Sequence, residues 1–132
     1  MITCKNETIT YQTMFTNGSH RAFADTTEDK GGHSSGFRPH ELLEAALGTC
    51  VNMHLRMYAD THHIPLEGIR TSVDLDRRSP HQVCFRYSIE LHGPLSDEQR
   101  LRLNQVAKTC PVRKTLSKEI SFQEVNQADQ TE

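Results

Sequence analysis

The sequence predicts an α+β fold, with antiparallel strand pairs before and after one long helix. Three observations predict it. Residues 38–58 meet no strong helix breaker once past Pro39, and alternating apolar and polar residues mark strands on both sides of that run. The strands also come in adjacent pairs, without the strand-helix-strand alternation that a parallel sheet requires.

The helix organises the rest. Proline suits a first helical position, where its missing amide hydrogen is not needed, and the next boundary is His62-His63-Ile64-Pro65. About 20 residues and about 30 Å of helix follow. Leu42, Leu43, Ala45, Ala46, Leu47, Cys50, Val51, Met53 and Met57 leave only a thin polar stripe, so most of its circumference needs cover. Ala45, Ala46, Gly48 and Thr49 are small, and Gly48 in mid-helix costs about 1 kcal/mol against alanine. Tight packing by a neighbour is expected there, beside Cys50.

Ahead of the helix, residues 2–5 and 8–15 read as strands, with Ile9, Tyr11, Thr13 and Phe15 on one face. Asn17-Gly18 offers the positive φ of a tight turn, and residues 20–25 read as the return strand. Residues 26–37, TTEDKGGHSSGF, have loop composition. Behind the helix, Ile69, Thr71, Val73 and Leu75 alternate with polar residues, and residues 77–80 turn the chain. Val83, Phe85, Tyr87, Ile89 and Leu91 then form the antiparallel partner, with Cys84 on its polar face. Gly93-Pro94 breaks this strand, and Ser96 with Gln99 forms a capping box opening a second helix. Leu103, Val106, Ala107 and Cys110 share its apolar face; Pro111 ends it and opens a short helix over residues 111–117. Residues 120–125 read as a final strand, and residues 126–132 as a solvated tail.

The 132 residues predict a single domain. Its hydrophobic content is 35 % with no Trp, lean cover for so apolar a helix, which predicts a homodimer. A net charge of −2 with scattered Lys and Arg argues against a nucleic-acid partner. The opening MITCKNETIT has no charged leader and apolar run, and no stretch approaches ~18 apolar residues. The expectation is a soluble, cytoplasmic protein with no membrane partner. Cys4, Cys50, Cys84 and Cys110 lack metal-ligand spacing, and in a reducing compartment they read as thiols. The eight histidines form no HExxH and no zinc-spaced cluster, so no metal is expected.

Cys50 lies too deep in its helix for the backbone dipole to acidify it, so a reactive Cys50 needs a side-chain cation. Arg38 and Arg21 are the candidates. Arg38 occupies a cap position where a positive charge opposes the macrodipole by roughly 0.3–1 kcal/mol. Glu41 and Glu44 suit the dipole in the first turns, and Glu41 is placed to hold an arginine by a bidentate contact. His54, one turn after Cys50, makes a Cys-His pair geometrically possible. Cys110, ahead of Pro111 and near Arg113 and Lys114, ranks as the more acidic thiol by electrostatics alone.

The stretch GFRPHELLEAALGTC, Gly36 to Cys50, and CPVRKTLS, Cys110 to Ser117, resemble the OsmC/Ohr family of osmotically inducible and organic-hydroperoxide-resistance proteins, in its broader OsmC-like branch. Gly31-Gly32 and the HGPLSDEQ run support the likeness. It implies an OsmC-like fold of antiparallel sheets packed on a long central helix, as an intertwined homodimer. It also implies a two-cysteine peroxidase without metal, flavin or other cofactor, reducing organic hydroperoxides and regenerated by an external dithiol reductant. Cys50 then matches the peroxidatic thiol and Cys110 the resolving one, against the electrostatic ranking. An arginine held by a glutamate would activate Cys50. Here His40 stands where the best-known members carry that glutamate, and the acid is Glu41, about 100° further around the helix. The alternative reading is a non-catalytic dimer binding a small apolar or electrophilic ligand in the same cleft.

Overall fold

The computed structural model describes residues 1–126, so the expected tail beyond Asn126 lies outside the described residues. The elements run β1 (Thr3–Asn6), β2 (Thr13–Thr16), β3 (Arg21–Ala24), a short 3-10 turn (Glu28–Lys30), α1 (Pro39–Thr61), β4 (Gly68–Asp76), β5 (Cys84–His92), α2 (Asp97–Ala107) and α3 (Pro111–Leu116). β1, β2 and β3 form an antiparallel meander, and β4 and β5 a long antiparallel hairpin. The α+β expectation is met.

α1 packs lengthwise on β4 in a fixed register. The Leu75 amide donates to Glu44 Oε1 at 2.8 Å, and Thr71 Oγ1 donates to Asn52 Oδ1 at 2.7 Å. Between them a Cβ on Gly48 would stand 3.3 Å from Val73 Cγ2, the close approach that the small residues called for. Another side of α1 supplies Leu47, Val51, Leu55 and Ala59, which are buried with Ile64, Leu66, Leu103, Ala107 and Cys110. Each large member contributes about 1.5–3 kcal/mol by leaving water. α2 opens on the predicted capping box: Gln99 N–H donates to Ser96 Oγ at 3.1 Å, and Ser96 N–H to Gln99 Oε1 at 3.0 Å.

Two strand expectations fail. The strand expected over residues 8–15 begins only at Thr13. The chain must reverse so that Asn6 pairs with Thr13, and it does so through Gln12 N–H to Ile9 O at 3.1 Å, with Tyr11 at a φ of 70°. Ile9 and Tyr11 therefore belong to a turn, despite their strand-like alternation. At the next reversal Gly18 alone takes the positive φ, 97°, while Asn17 Oδ1 accepts the amides of Ser19 and His20. Residues 120–125, expected as a strand, form none among the described residues. Their pattern is suitable, but neither sheet pairs with them, and Phe122 stands 96 % exposed.

Asp25, at the end of β3, holds the loop of residues 26–37. Its buried carboxylate accepts the Ser35 hydroxyl at 2.6 Å and the amides of Ser35, Thr26 and His33. The Ser35 hydroxyl leads these bonds in lowering the Asp25 pKa from the usual 3.8 to about 2, against the opposing effect of burial. A carboxylate with a lowered folded-state pKa adds stability that is complete above its unfolded pKa and is lost as pH falls through the folded one. Asp25→Asn should therefore unfold at a lower temperature than wild type at pH 7, by about 5 °C or more. Thermal scans should show that gap closing between about pH 4 and about pH 2; a gap independent of pH would mean that the charge does not hold the loop.

Candidate functional site

The two thiols singled out by sequence meet where α1 crosses the elbow between α2 and α3. Cys50 is half-buried against the core, and Cys110 is fully buried as the residue capping α3. Cys110 Sγ accepts the Arg113 amide at 3.4 Å, and Cys50 packs against the core cluster that contains Cys110, close enough for its thiol to influence Cys110 ionisation. α2 brings Cys110 there because Leu103, Ala107 and Cys110 lie on one buried face.

Burial pushes the Cys110 thiol above its usual pKa, and the neighbouring Cys50 thiol adds to the rise. The Arg113 and Val112 amides oppose it without prevailing. The expectation of an acidified Cys110 is therefore overturned. The helix-terminus reasoning found the right amide and left out desolvation. The Arg113 side chain also turns elsewhere: its guanidinium carbon lies 5.9 Å from the Tyr87 ring centroid, and Nη1 donates to Lys108 O at 3.4 Å.

Glu41 holds Arg38 as anticipated. Its carboxylate accepts the Arg38 amide at 2.9 Å, Nε at 3.1 Å and Nη2 at 2.8 Å. The Arg38 amide, then its guanidinium, lowers the Glu41 pKa. This contact explains a cation at the cap, since the carboxylate takes the first amide and faces the helix dipole itself. Within one chain the pair is remote from the thiols: nine residues of helix separate Glu41 from Cys50, about 14 Å. Arg21 lies exposed on β3, in the first sheet. Glu44 links α1 to β4 through the Leu75 amide.

His54 does not hydrogen-bond Cys50. Its Nε2 lies 2.9 Å from Thr109 Oγ1, beside Cys110. Sequence reasoning missed Thr109, whose available signal was a hydroxyl residue directly before the Cys-Pro pair. Cys84 is exposed opposite Asp76, as its strand position predicts, and the exposed Cys4 lines an apolar cavity between the first sheet and the start of α1. Among the described residues no three His, Cys, Asp or Glu side chains gather to hold a metal ion.

Iodoacetamide at pH 7 should modify Cys110 most slowly of the four cysteines, because it is both buried and hard to ionise. Peptide mapping of the labelled protein reads this directly; preferential labelling of Cys110 would restore the helix-terminus argument.

The family model for OsmC-like protein matches residues 31–125. No curated protein matches the sequence. Among solved structures, the chain resembles an OsmC-like protein from Mycoplasma pneumoniae at 19 % identity and a TM-score of 0.75, over 88 % of this chain and 85 % of that one. It resembles an organic hydroperoxide resistance protein OsmC from Legionella pneumophila at 18 % identity and a TM-score of 0.62, over 89 % and 88 %. It also resembles an organic hydroperoxide resistance protein from Elizabethkingia anophelis at 13 % identity and a TM-score of 0.64, over 88 % and 86 %. At such identities the likeness is one of fold. No helix among the described residues is long and apolar enough to cross a membrane.

Proposed function

The chain belongs to the OsmC-like protein family, and from that membership we propose that it is a cytoplasmic, thiol-dependent peroxidase reducing organic hydroperoxides to alcohols. The observation that carries this reading is the adjacency of Cys50 and Cys110, which lie 60 positions apart in sequence. The Cys50 thiolate attacks the terminal hydroperoxide oxygen; the O–O bond breaks and the alkoxide leaves as alcohol after taking a proton. Cys110 then attacks the Cys50 sulfenic acid, loses its proton and expels water as the disulfide forms. An external dithiol restores both thiols. The raised pKa of Cys110 supports this division of labour, since it keeps Cys110 protonated while Cys50 meets the oxidant.

The working unit in this proposal is an intertwined homodimer. Leu43, Met53 and Met57 on α1 are 44 %, 61 % and 66 % exposed, and residues 120–125 pair with no strand among the described residues. If two α1 helices pack antiparallel about an axis between the exposed Ala45 and Ala46, the partner's Glu41 stands opposite Cys50. An Arg38–Glu41 pair too distant in one chain then becomes available to the thiolate of the other.

With cumene hydroperoxide and a dithiol, Cys50→Ser should cut peroxide loss on the order of 100-fold or more; equal rates for wild type and variant would end the enzyme reading. Arg38→Ala tests the shared site. Loss of a cation worth about 2 kcal/mol cuts the thiolate fraction more than tenfold. The higher nucleophilicity of a less acidic thiol returns part of that, leaving about a fivefold loss. A larger loss would mean that Arg38 also stabilises the departing oxyanion. No loss in either Arg38→Ala or Arg21→Ala would remove arginine from the mechanism.

Sedimentation equilibrium at micromolar protein should give twice the 15.0 kDa chain mass. A stable monomer would refute the shared site. The second reading is a non-catalytic dimer binding a small apolar or electrophilic ligand in the thiol cleft; the apolar cavity of about 590 Å³ lined by Ile2, Cys4, Tyr11, Phe15 and Leu42 is a separate space away from Cys50 and Cys110. Thiols that stay reduced under excess hydroperoxide would select this second reading.

A further inference from the structure

Arg102 on α2 donates to the Tyr58 hydroxyl of α1 about two turns before Cys110; beyond that tie the α2–α3 elbow, which carries Cys110, is held to α1 mainly by apolar packing of Leu103, Ala107 and Cys110 against Val51 and Leu55. Such contacts are non-directional and set no register along the helix. Among the described residues one side-chain hydrogen bond ties residues 108–110 to α1, that between His54 Nε2 and Thr109 Oγ1 at 2.9 Å. Its direction is fixed. Thr109 Oγ1 also lies 2.7 Å from Val106 O, which can only accept, so the hydroxyl proton points there. The hydroxyl oxygen is left to accept from His54 Nε2–H. His54 stands one turn after Cys50 and Thr109 directly before Cys110, so the bond spans the two thiols' own backbones.

We propose that His54 is a positioning residue for disulfide closure: through Thr109 it fixes the elbow, and with it Cys110, against the turn of α1 that carries Cys50. This rests on reading Cys50 and Cys110 as a redox pair. The residue acts as a donor, not as a base, because Nε2 carries a proton in the neutral tautomer used here and in the imidazolium alike. Closing the disulfide brings the two sulfurs within bonding reach, a geometry that a shift on the order of 1 Å in the elbow would spoil.

The test uses an aromatic disulfide, 5,5′-dithiobis(2-nitrobenzoate), on full-length protein with Cys4→Ser and Cys84→Ser. The Cys50 thiolate displaces one thionitrobenzoate and forms a mixed disulfide. The Cys110 thiolate, its proton lost to buffer, then attacks the Cys50 sulfur, expels the second thionitrobenzoate and closes the Cys50–Cys110 bond. This second, intramolecular phase is read at constant thiol concentration by absorbance. His54→Ala should slow it about fivefold. Thr109→Val should do the same, and the double variant should be no slower than either single one. His54→Gln, whose amide nitrogen can replace Nε2 as donor, should restore it to within about twofold. A second phase at the wild-type rate in both His54→Ala and Thr109→Val would overturn the proposal, as would failure of His54→Gln to rescue while melting at the wild-type temperature. A wild type with no second phase would defeat the redox-pair reading and this proposal with it. A normal, His54-dependent second phase in a protein inert to hydroperoxide would sustain the proposal and reject only the peroxidase.

Discussion

The register of α1 on β4 is the constraint on which the thiol site depends. Four residues of helix climb about 6 Å, and two residues of strand about 6.6 Å, so the two elements stay in step over several contacts. Glu44 meets Leu75, Gly48 meets Val73 and Asn52 meets Thr71, each helix step of four matched by a strand step of two in the opposite direction. Two hydrogen bonds fix the helix along its length, and the bare Cα of Gly48 fixes its distance and rotation. At 100° per residue the rest follows. With residues 44, 48 and 52 on the sheet flank, Leu47, Val51 and Leu55 face the core, and Cys50 and His54 come to the opposite flank, where α2 and α3 meet.

That placement decides the contest between two effects at Cys110. A capping position offers its sulfur the Arg113 amide, which favours the thiolate. The same packing that brings Cys110 to Cys50 removes it from water, which favours the thiol, and desolvation wins. In the proposed mechanism, a thiol that must wait until its neighbour is oxidised is served by this balance. The amide is still in place to receive the negative charge once Cys110 gives up its proton.

Long elements with a strong local signal were legible in the sequence. α1 follows from Pro39 and the unbroken apolar run behind it, the β4–β5 hairpin from strict alternation, and α2 from Ser96 and Gln99; all three appear within a few residues of the expected bounds. The failures share a cause, for alternation reports suitability for a sheet and cannot report a partner. Ile9 and Tyr11 fit a strand, but the short return from β1 to β2 consumes them in a turn. Ile120 and Phe122 likewise suit a strand, and residues 120–125 find no edge to pair with among the described residues. At the site, the Arg38–Glu41 contact was legible because it spans three residues of one helix. The His54–Thr109 bond joins residues 55 apart, and burial of Cys110 is a property of the packed core, so neither is encoded locally.

The same distinction between local and non-local information bears on why, in the proposed mechanism, one chain supplies Cys50 with no cation of its own. The cation nearest in sequence to the helix start, Arg38, is engaged by Glu41 and cannot travel about 14 Å along its own helix to Cys50. Small residues at Ala45 and Ala46 leave the outer face of α1 open midway between those two points, flanked by Leu43, Met53 and Met57. A two-fold axis there would cover these apolar side chains in both protomers at once and set the two helices antiparallel, bringing the charged end of one to the thiol of the other. Under the proposed dimer, the departure of His40 from the family's glutamate position has a specific consequence. Moving the acid one residue along turns it about 100°, so the activating pair approaches the partner's thiol from a different side of the helix, and the shape of hydroperoxide admitted between them changes with it.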